Sequence, residues 1–548
     1  MFRTLGIPTL GGSLQYNKLL NSCSSLSDLK RLHALLLTHG LISRLDLATK
    51  VVFLAYTLSS TMAYARNLFD TTPHRDSFLW NTLIRGSCSV ISAIGEGKQA
   101  HCNIVKNGLD INIFAQSSLI TMYFHSGEIS DAELIFGEMG ERSMVSWTAM
   151  VAGYAQNCIF RKAVSVFQQM VDSGVRFNEI TLVSILPACS ELGFFSLGRS
   201  IHGFMIKSGL SSYTSLANAM IAMYGKCCER EAAESLFDAM PAPSLASWNT
   251  MIALYEQNGD GVAAFEVFRR MIAKNLRFDS VTLVSVISAC TALGNLEIGR
   301  WVHELSCKRG LELDVRVGNA LLDMYAKCGG IDSARALFQK LLPSKSVVSW
   351  SAMIGAYAAH GHAKEALELF SKMKEEEIMP NSFTFTSVLA ACSHSGDVEE
   401  GMKQFENLKR DYGIDHTVEH CACMVDLLGR AGRLGEAYRF VERMEVKPDK
   451  AVWGALLGGC SMHGDVDMAE MVVEEMLRLD PQNVTFCVLM SNLYADAGRW
   501  EDAARMRSRM KEQEMKKAPG FSLVEIHEKI FSNYSCSIRD SFSLARAT

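Results

Sequence analysis

The stretch VSWTAM at 145–150 returns as ASWNTM at 246–251 and as VSWSAM at 348–353. Its tryptophans, Trp147, Trp248 and Trp350, follow one another at spacings of 101 and 102 residues. That is too regular for chance and too long for a single helical hairpin, so the chain reads as a repeat array. Two further words fill each interval. TLVSILPACSELG (181–193), TLVSVISACTALG (282–294) and TFTSVLAACSHSG (384–396) come first, then LANAMIAMYGKC (216–227), VGNALLDMYAKC (317–328) and the more divergent EHCACMVDLLGRAG (419–432). Boundaries drawn on these copies give units at 144–178, 179–213 and 214–244, of 35, 35 and 31 residues.

Each unit reads as two helices. In 245–279, Trp248, Met251, Ile252 and Tyr255 form one apolar stripe, Asn258-Gly259-Asp260-Gly261 break it, and Ala264, Val267, Phe268 and Met271 form a second. The same Ala, Phe and Met spacing recurs at Ala163, Phe167 and Met170 and at Ala233, Phe237 and Met240, and reads as core. A lone hairpin cannot bury both stripes, whereas stacked neighbours can. Composition agrees: 48% of 548 residues are hydrophobic, and the 10 prolines fall mostly at unit ends (Pro241, Pro243, Pro343, Pro380, Pro448, Pro481).

The formal charge of −5 argues against a ligand held mainly through its phosphates. Lys106, Lys207, Lys308 and Arg309 recur near hairpin ends and would either line a local basic groove or be ordinary solvated helix ends. No apolar run reaches the length of a membrane span. Most of the sixteen cysteines read as small buried hydrophobes, three of them (Cys189, Cys290, Cys392) at one helical phase. Residues 1–12, MFRTLGIPTLGG, with one Arg and no acid, are compatible with a short transit segment.

These words, in this order and at these lengths, resemble the plant organellar pentatricopeptide repeat proteins of the class that alternates regular, long and short repeats, over about residues 13 to 525. The resemblance implies an all-α, right-handed superhelical solenoid of stacked two-helix repeats, with the array at 13–449. Tetratricopeptide arrays have a uniform 34-residue period, which the 35/35/31 alternation disfavours. Past 449, KAVWGALLGGCSMHGDVDMAEMVVEEMLRLDP and NLYADAGRWEDAARMRSRMKEQEMKKAPGFSLVEI resemble the two E-type extension motifs of the RNA-editing subclass, placed at 450–518. PGFSLVEI resembles the opening of the segment that follows them, within 519–548, whose tail diverges after Ile526. Longer relatives continue into a cytidine deaminase domain, which needs His-x-Glu and Cys-x-x-Cys to hold zinc and move a proton. Neither motif occurs: Cys227-Cys228 and Cys421-Ala-Cys423 have the wrong spacing. His101, His202 and His303 fall one per hairpin and read as helix-face residues rather than a shared metal site. The expectation is therefore no enzyme, metal, cofactor or small-molecule substrate.

The first triplet is unequal. Trp80 in FLWNTLIRG precedes Trp147 by only 67 residues. NTLIRG (81–86) opens a regular repeat and SAIGEGKQAHCNIVKNG (92–108) closes a long one, which reads as a composite repeat at 77–112, or else as a divergent repeat or a faulty gene model.

In the resembled family two side chains per repeat read one base of single-stranded RNA: the residue after the Trp-like position and the last residue of the repeat. Carried over, the regular repeats offer Thr148 with Asn178, Asn249 with Asp279 and Ser351 with Asn381, and the short repeats Ser117 with Ser143, Asn218 with Ser244 and Asn319 with Ser346. Asn81 and Asn112 form a weaker pair on the composite repeat. An Asn amide offers a pyrimidine edge both donor and acceptor, while Ser or Thr leaves room for a purine. The resemblance implies adenine, adenine, any, cytosine, uracil, any, cytosine, adenine over 113–381, read 5′ to 3′, the last six nucleotides upstream of an edited cytidine. Val183 and Val284 cannot hydrogen-bond a base and should read little; Val145 and Val348 would wedge between bases or pack in the core. The expected role is recognition of sites for organellar C-to-U editing, mitochondrial or else chloroplast, with a deaminase-bearing partner docking on 450–526. The alternatives are RNA splicing, stabilisation or translation without editing, and a protein-interaction scaffold.

Overall fold

The computed structural model describes residues 13–512 apart from 59–62, 73–76, 90–93, 107, 109–111, 342–345 and 480–483. The transit segment expected at 1–12, the end of the second extension motif and the 519–548 stretch lie outside them. All regular elements among the described residues are helical: thirty α-helices, with two 3-10 turns. First helices begin at Met144, Glu179, Thr214 and Leu245, the first residue of each expected unit, and continue at Ser280 and Val315. The extension continues the same pattern as two more hairpins, Lys450–His463 with Val466–Leu479 and Val484–Asp496 with Trp500–Glu512.

The chain divides after Leu254 into two compact units. In the first, the first helices Leu45–Leu58, Ser77–Ser89, Ile113–His125, Met144–Gln156, Glu179–Glu191 and Thr214–Lys226 each pack on the next. The hairpin Ser77–Ser89 with Ile94–Lys106, where a composite repeat was one expectation, takes an ordinary place in this row. In the second unit the row runs through Ser280–Leu293, Val315–Lys327, Val347–Ala359, Ser382–Ser395, Val418–Arg430, Lys450–His463 and Val484–Asp496. Second helices pack on their own first helix and on the following one.

The two kinds of helix differ because their residues do. Val347–Ala359 buries Trp350, Met353, Ile354, Ala356, Tyr357 and Ala358, positions that go round most of the helix. Its partner Ala363–Glu375 buries only Ala366, Phe370 and Met373 on its inner stripe, with Ala363 at its start, and exposes Lys364, Glu368 and Lys372. The Trp of each regular repeat meets a Phe from the preceding second helix edge-on: Trp147 on Phe136 and Trp248 on Phe237 at 4.9 Å between centroids, Trp350 on Phe338 at 5.2 Å, Trp80 on Phe69 at 4.4 Å. At the far end of the first helices, side chains donate to carbonyls of the preceding one: Asn157 Nδ2 to Phe124 O (3.1 Å), His360 Nε2 to Ala326 O (2.6 Å), His394 Nδ1 to Ala358 O (2.7 Å). Each of these carbonyls also accepts a backbone N–H from its own turn, of Gly127, Gly329 and Gly361 respectively, so the side chain adds a second bond that joins neighbouring repeats. Met240, expected in the core stripe, is only half-buried because its helix ends at Asp238.

Lys106, Lys207 and Lys308 are exposed in the last turns of second helices, where a cation suits the helix dipole, and the Arg309 guanidinium lies over the Phe278 ring at 5.2 Å. Cys189, Cys290 and Cys392 are buried, and desolvation pushes their thiols up to about 11, 12 and 12.

The turn between helices imposes a left-handed residue at the fifteenth place of every unit from 113 onward. Glycine fills it at Gly259 and Gly329, but Cys158 (φ 59°) and Cys228 (φ 60°) occupy it in two units. A side chain there costs about 1–2 kcal/mol per residue, partly offset by the extra freedom glycine has when unfolded. Cys228→Gly should therefore raise unfolding stability by about 0.5–1 kcal/mol, read as a higher urea midpoint at unchanged slope.

Candidate nucleic-acid interface

The last residue of each unit is the N-cap of the next first helix. Asn178 Oδ1 accepts from Thr181 N (3.1 Å), Asp279 Oδ1 from Thr282 N (2.9 Å) and Asn381 Oδ1 from Thr384 N (2.9 Å). Ser143, Ser244 and Ser346 do the same through Oγ to Ser146, Ser247 and Ser349 N, and Asn112 Oδ1 caps from Phe114 and Ala115 N. Ser, Asn and Asp are the preferred N-caps. Capping alone thus accounts for the residue types at the second place of every pair, and any further role must be argued from the first place.

In the pairs Thr148 with Asn178, Asn319 with Ser346 and Ser351 with Asn381, the third residue of the following helix ties the two places together. Ser146, Thr181, Ser247, Thr282, Ser349 and Thr384 are all buried hydroxyls. Thr181 Oγ1 lies 2.7 Å from Thr148 Oγ1 and donates to Asn178 Oδ1 at 3.0 Å. Thr384 Oγ1 joins Ser351 Oγ (2.6 Å) to Asn381 Oδ1 (2.9 Å) in the same way. Ser349 Oγ donates to Asn319 Oδ1 at 2.6 Å and sits 3.3 Å from Ser346 Oγ. In these three pairs a buried hydroxyl fixes both side chains before any ligand arrives. Asn218 and Asn81 instead have a buried Oδ1 with no hydrogen-bond partner, a position where an unmet acceptor is costly. Sequence reading passed over these hydroxyls although their signal was present, a capping residue followed three places later by Ser or Thr.

The six pairs are not equivalent. Thr148, Asn218, Asn249 and Asn319 are half-buried, whereas Ser117 and Ser351 are buried. Ser117 Oγ donates to Ile113 O of its own helix (2.7 Å) and is not joined to Ser143. At the 418 unit the hydroxyl is replaced by His420, whose Nδ1 accepts from Thr417 N and whose Nε2 donates to Ser382 O at 2.8 Å. Its fifth residue is Ala422, which has no polar group to offer.

Val145 and Val348, at the second place of their helices, are 48% and 54% exposed, which removes core packing as their role. Phe114, Ile180, Val281 and Phe383 occupy the same place and are also exposed. In these six units an uncovered apolar side chain thus stands two residues from the cap, whereas Ser215, Arg316 and Glu419 hold the same place in others.

The histidines at one phase of the long repeats pair with tyrosines of the next first helix: His101 Nδ1 with Tyr123 OH (2.8 Å), His202 with Tyr224 (2.7 Å), His303 with Tyr325 (2.8 Å). Each of these histidines sits on its own hairpin. Against the expectation of no metal ligands, His303 has Cys307 and Glu312 beside it, their ligand atoms all within 4.8 Å. Glu312 lies beyond the helix end, so helical spacing gave no hint of it.

Comparison with known proteins agrees with this architecture. The PPR repeat model matches 117–144, 145–175, 215–242, 319–342, 383–412 and 420–448, the PPR repeat family model 243–292 and 345–394, and the E motif model 463–525. A putative mitochondrial pentatricopeptide repeat-containing protein of Arabidopsis thaliana is 40% identical over 85% of this chain and 75% of its own length. A chloroplastic one from the same plant is 36% identical over 95% of this chain and 69% of its own. Among solved structures, the pentatricopeptide repeat protein PPR10 in complex with an 18-nt psaJ RNA element aligns with a TM-score of 0.61 and 18% identity, covering 91% of this chain and 79% of that one.

Burial lowers the affinity of His101 and His202 for a proton below the ordinary 6.5, desolvation being the main cause. Their depressed values mean that the unfolded chain takes up protons first, so stability present above pH 6.5 is lost as pH falls through it and below. The urea midpoint should drop between pH 7 and pH 5, and the drop should shrink in His202→Gln.

Proposed function

We propose that this chain, which belongs to the pentatricopeptide repeat family, binds one stretch of single-stranded RNA base by base and marks cytidines for C-to-U editing in an organelle. The observation that carries this reading is the joining of paired polar side chains through buried hydroxyls, Thr148 with Asn178, Asn319 with Ser346 and Ser351 with Asn381. Capping needs no partner at the fifth place, yet the fifth residue is polar in all six regular and short repeats from 113 to 381. Fixed donors and acceptors presented once per repeat suit unstacked bases. The exposed apolar residues at the second place suit contact with base faces, which tolerates any sequence.

With Ser351 buried, the adenine assigned to its repeat meets the Asn381 amide, and the small hydroxyl provides space. The net charge of −5 fits an affinity carried by bases more than by phosphates. PPR10 was solved with an 18-nt RNA element, which supports RNA as the ligand class. The E motif supports an editing role, with the deaminase supplied in trans by a partner docking on 450–526, where Met462, Met471 and Trp500 are exposed. The first relative named above is mitochondrial and the second chloroplastic, and we assign this chain to the mitochondrion.

Sequencing organelle transcripts from a null line tests the proposal. The expected result is loss of editing at a cytidine preceded by the deduced order, with adenine six positions upstream. Intact editing with altered introns or transcript ends would transfer the chain to splicing or stabilisation, and unchanged transcripts would make it a protein scaffold. Base reading has its own test in Asn249→Thr, with Asp279 kept as acceptor. Preference at that base should move from uracil toward guanine, the lost contact costing roughly 1–3 kcal/mol. Gel shifts showing equal binding to both bases before and after the change would remove the assignment.

A further inference from the structure

We propose that His303, Cys307 and Glu312 form a zinc site at the end of the third long repeat. His303 and Cys307 lie four residues apart on one face of Leu296–Lys308, and Glu312 reaches back from the turn that follows the helix. Cys307 Sγ is 2.7 Å from Glu312 Oε2, and His303 Nε2 is 3.9 Å from the same oxygen. A tetrahedral zinc ion with ligand bonds near 2.0–2.3 Å needs donors about 3.3–3.7 Å apart. Side-chain adjustments of under an ångström or so would bring this set to that geometry.

Three observations beyond proximity point to a cation. His303 Nε2 is buried and has no hydrogen-bond partner. Its other nitrogen, Nδ1, is held by Tyr325 OH at 2.8 Å, the outer contact that orients a metal-bound imidazole and leaves the Nε2 lone pair facing the ion. Glu312 is held from behind by Lys340 Nζ at 2.8 Å, through Oε1, while Oε2 faces the sulfur and the imidazole. The same histidine phase elsewhere lacks the set: four residues on from His202 is Ile206, and from His101 is Val105. The cluster therefore belongs to this repeat and not to the array's period. Nitrogen, thiolate and carboxylate together suit Zn²⁺ better than Mg²⁺ or Ca²⁺, which take oxygen. On binding, the Cys307 thiol gives its proton to solvent, and three protein ligands leave the fourth position to water.

The test uses the full chain, stripped with a chelator, then titrated with Zn²⁺ against a chromophoric competitor and separately with Co²⁺. Expected are one tight equivalent per chain, a thiolate-to-cobalt charge-transfer band, and a zinc-dependent rise in Tm. Cys307→Ser should lose all three while its metal-free Tm matches the parent. Tyr325→Phe should keep the band but weaken zinc by about 10-fold or more, and His202→Ala, the same phase without the cluster, should keep the tight equivalent. No tight zinc, or a tight equivalent and cobalt band that persist in Cys307→Ser, would overturn the assignment.

Discussion

A helix that is apolar around most of its circumference has to be covered on more than one side, and everything else in this molecule follows from how that is done. Val347–Ala359 and its counterparts are covered by the first helices before and after them and by two second helices. Because the cover comes from neighbours of the same construction, the first helices lie in register, and so do their N-terminal ends. The helix starts then recur at one place per repeat, with buried hydroxyls behind six of them and an exposed apolar residue beside six. The interface is a by-product of burial, built from helix ends that the core has already aligned.

Much of the fold was legible in the sequence because the period was. Trp147, Trp248 and Trp350 mark it, and with the unit length known each helix start is fixed to within a residue. Other features were visible and went unread. The Asn-x-x-Thr spacing of Asn178 with Thr181 and of Asn381 with Thr384 announces a capped helix, and it explains the polar character of those positions without any ligand. The burial of Ser117 and Ser351 was beyond sequence, since a small hydroxyl on a helix is equally at home facing water or bonding back to its own backbone. The cluster at His303 was also beyond it, because Glu312 is brought there by a turn and not by helical spacing.

The extension past residue 449 is built by the same rules as the array, with Asp449 capping Lys450–His463 as Asn381 caps Ser382–Ser395. What changes is the fifth residue, already Ala422 in the last array unit and Gly454 in the first extension hairpin. Here the repeat keeps its cap and its core and gives up its polar group, while Gly429 and Gly459 bring the two first helices close enough that an added Cβ on Gly459 would lie 2.8 Å from the Gly429 Cα. Structure persists across the junction, while the polar fifth residue has already gone one unit before it.

The double duty of the terminal residue in each repeat constrains how such a protein can diverge. A substitution at Thr148 alters what is presented and leaves the next helix capped, whereas one at Asn178 alters both at once. New targets are therefore acquired more freely through the fifth position than through the last, where only the handful of side chains able to start a helix are admissible. The vocabulary open to a descendant of this chain is bounded by helix nucleation as much as by the nucleobases it meets.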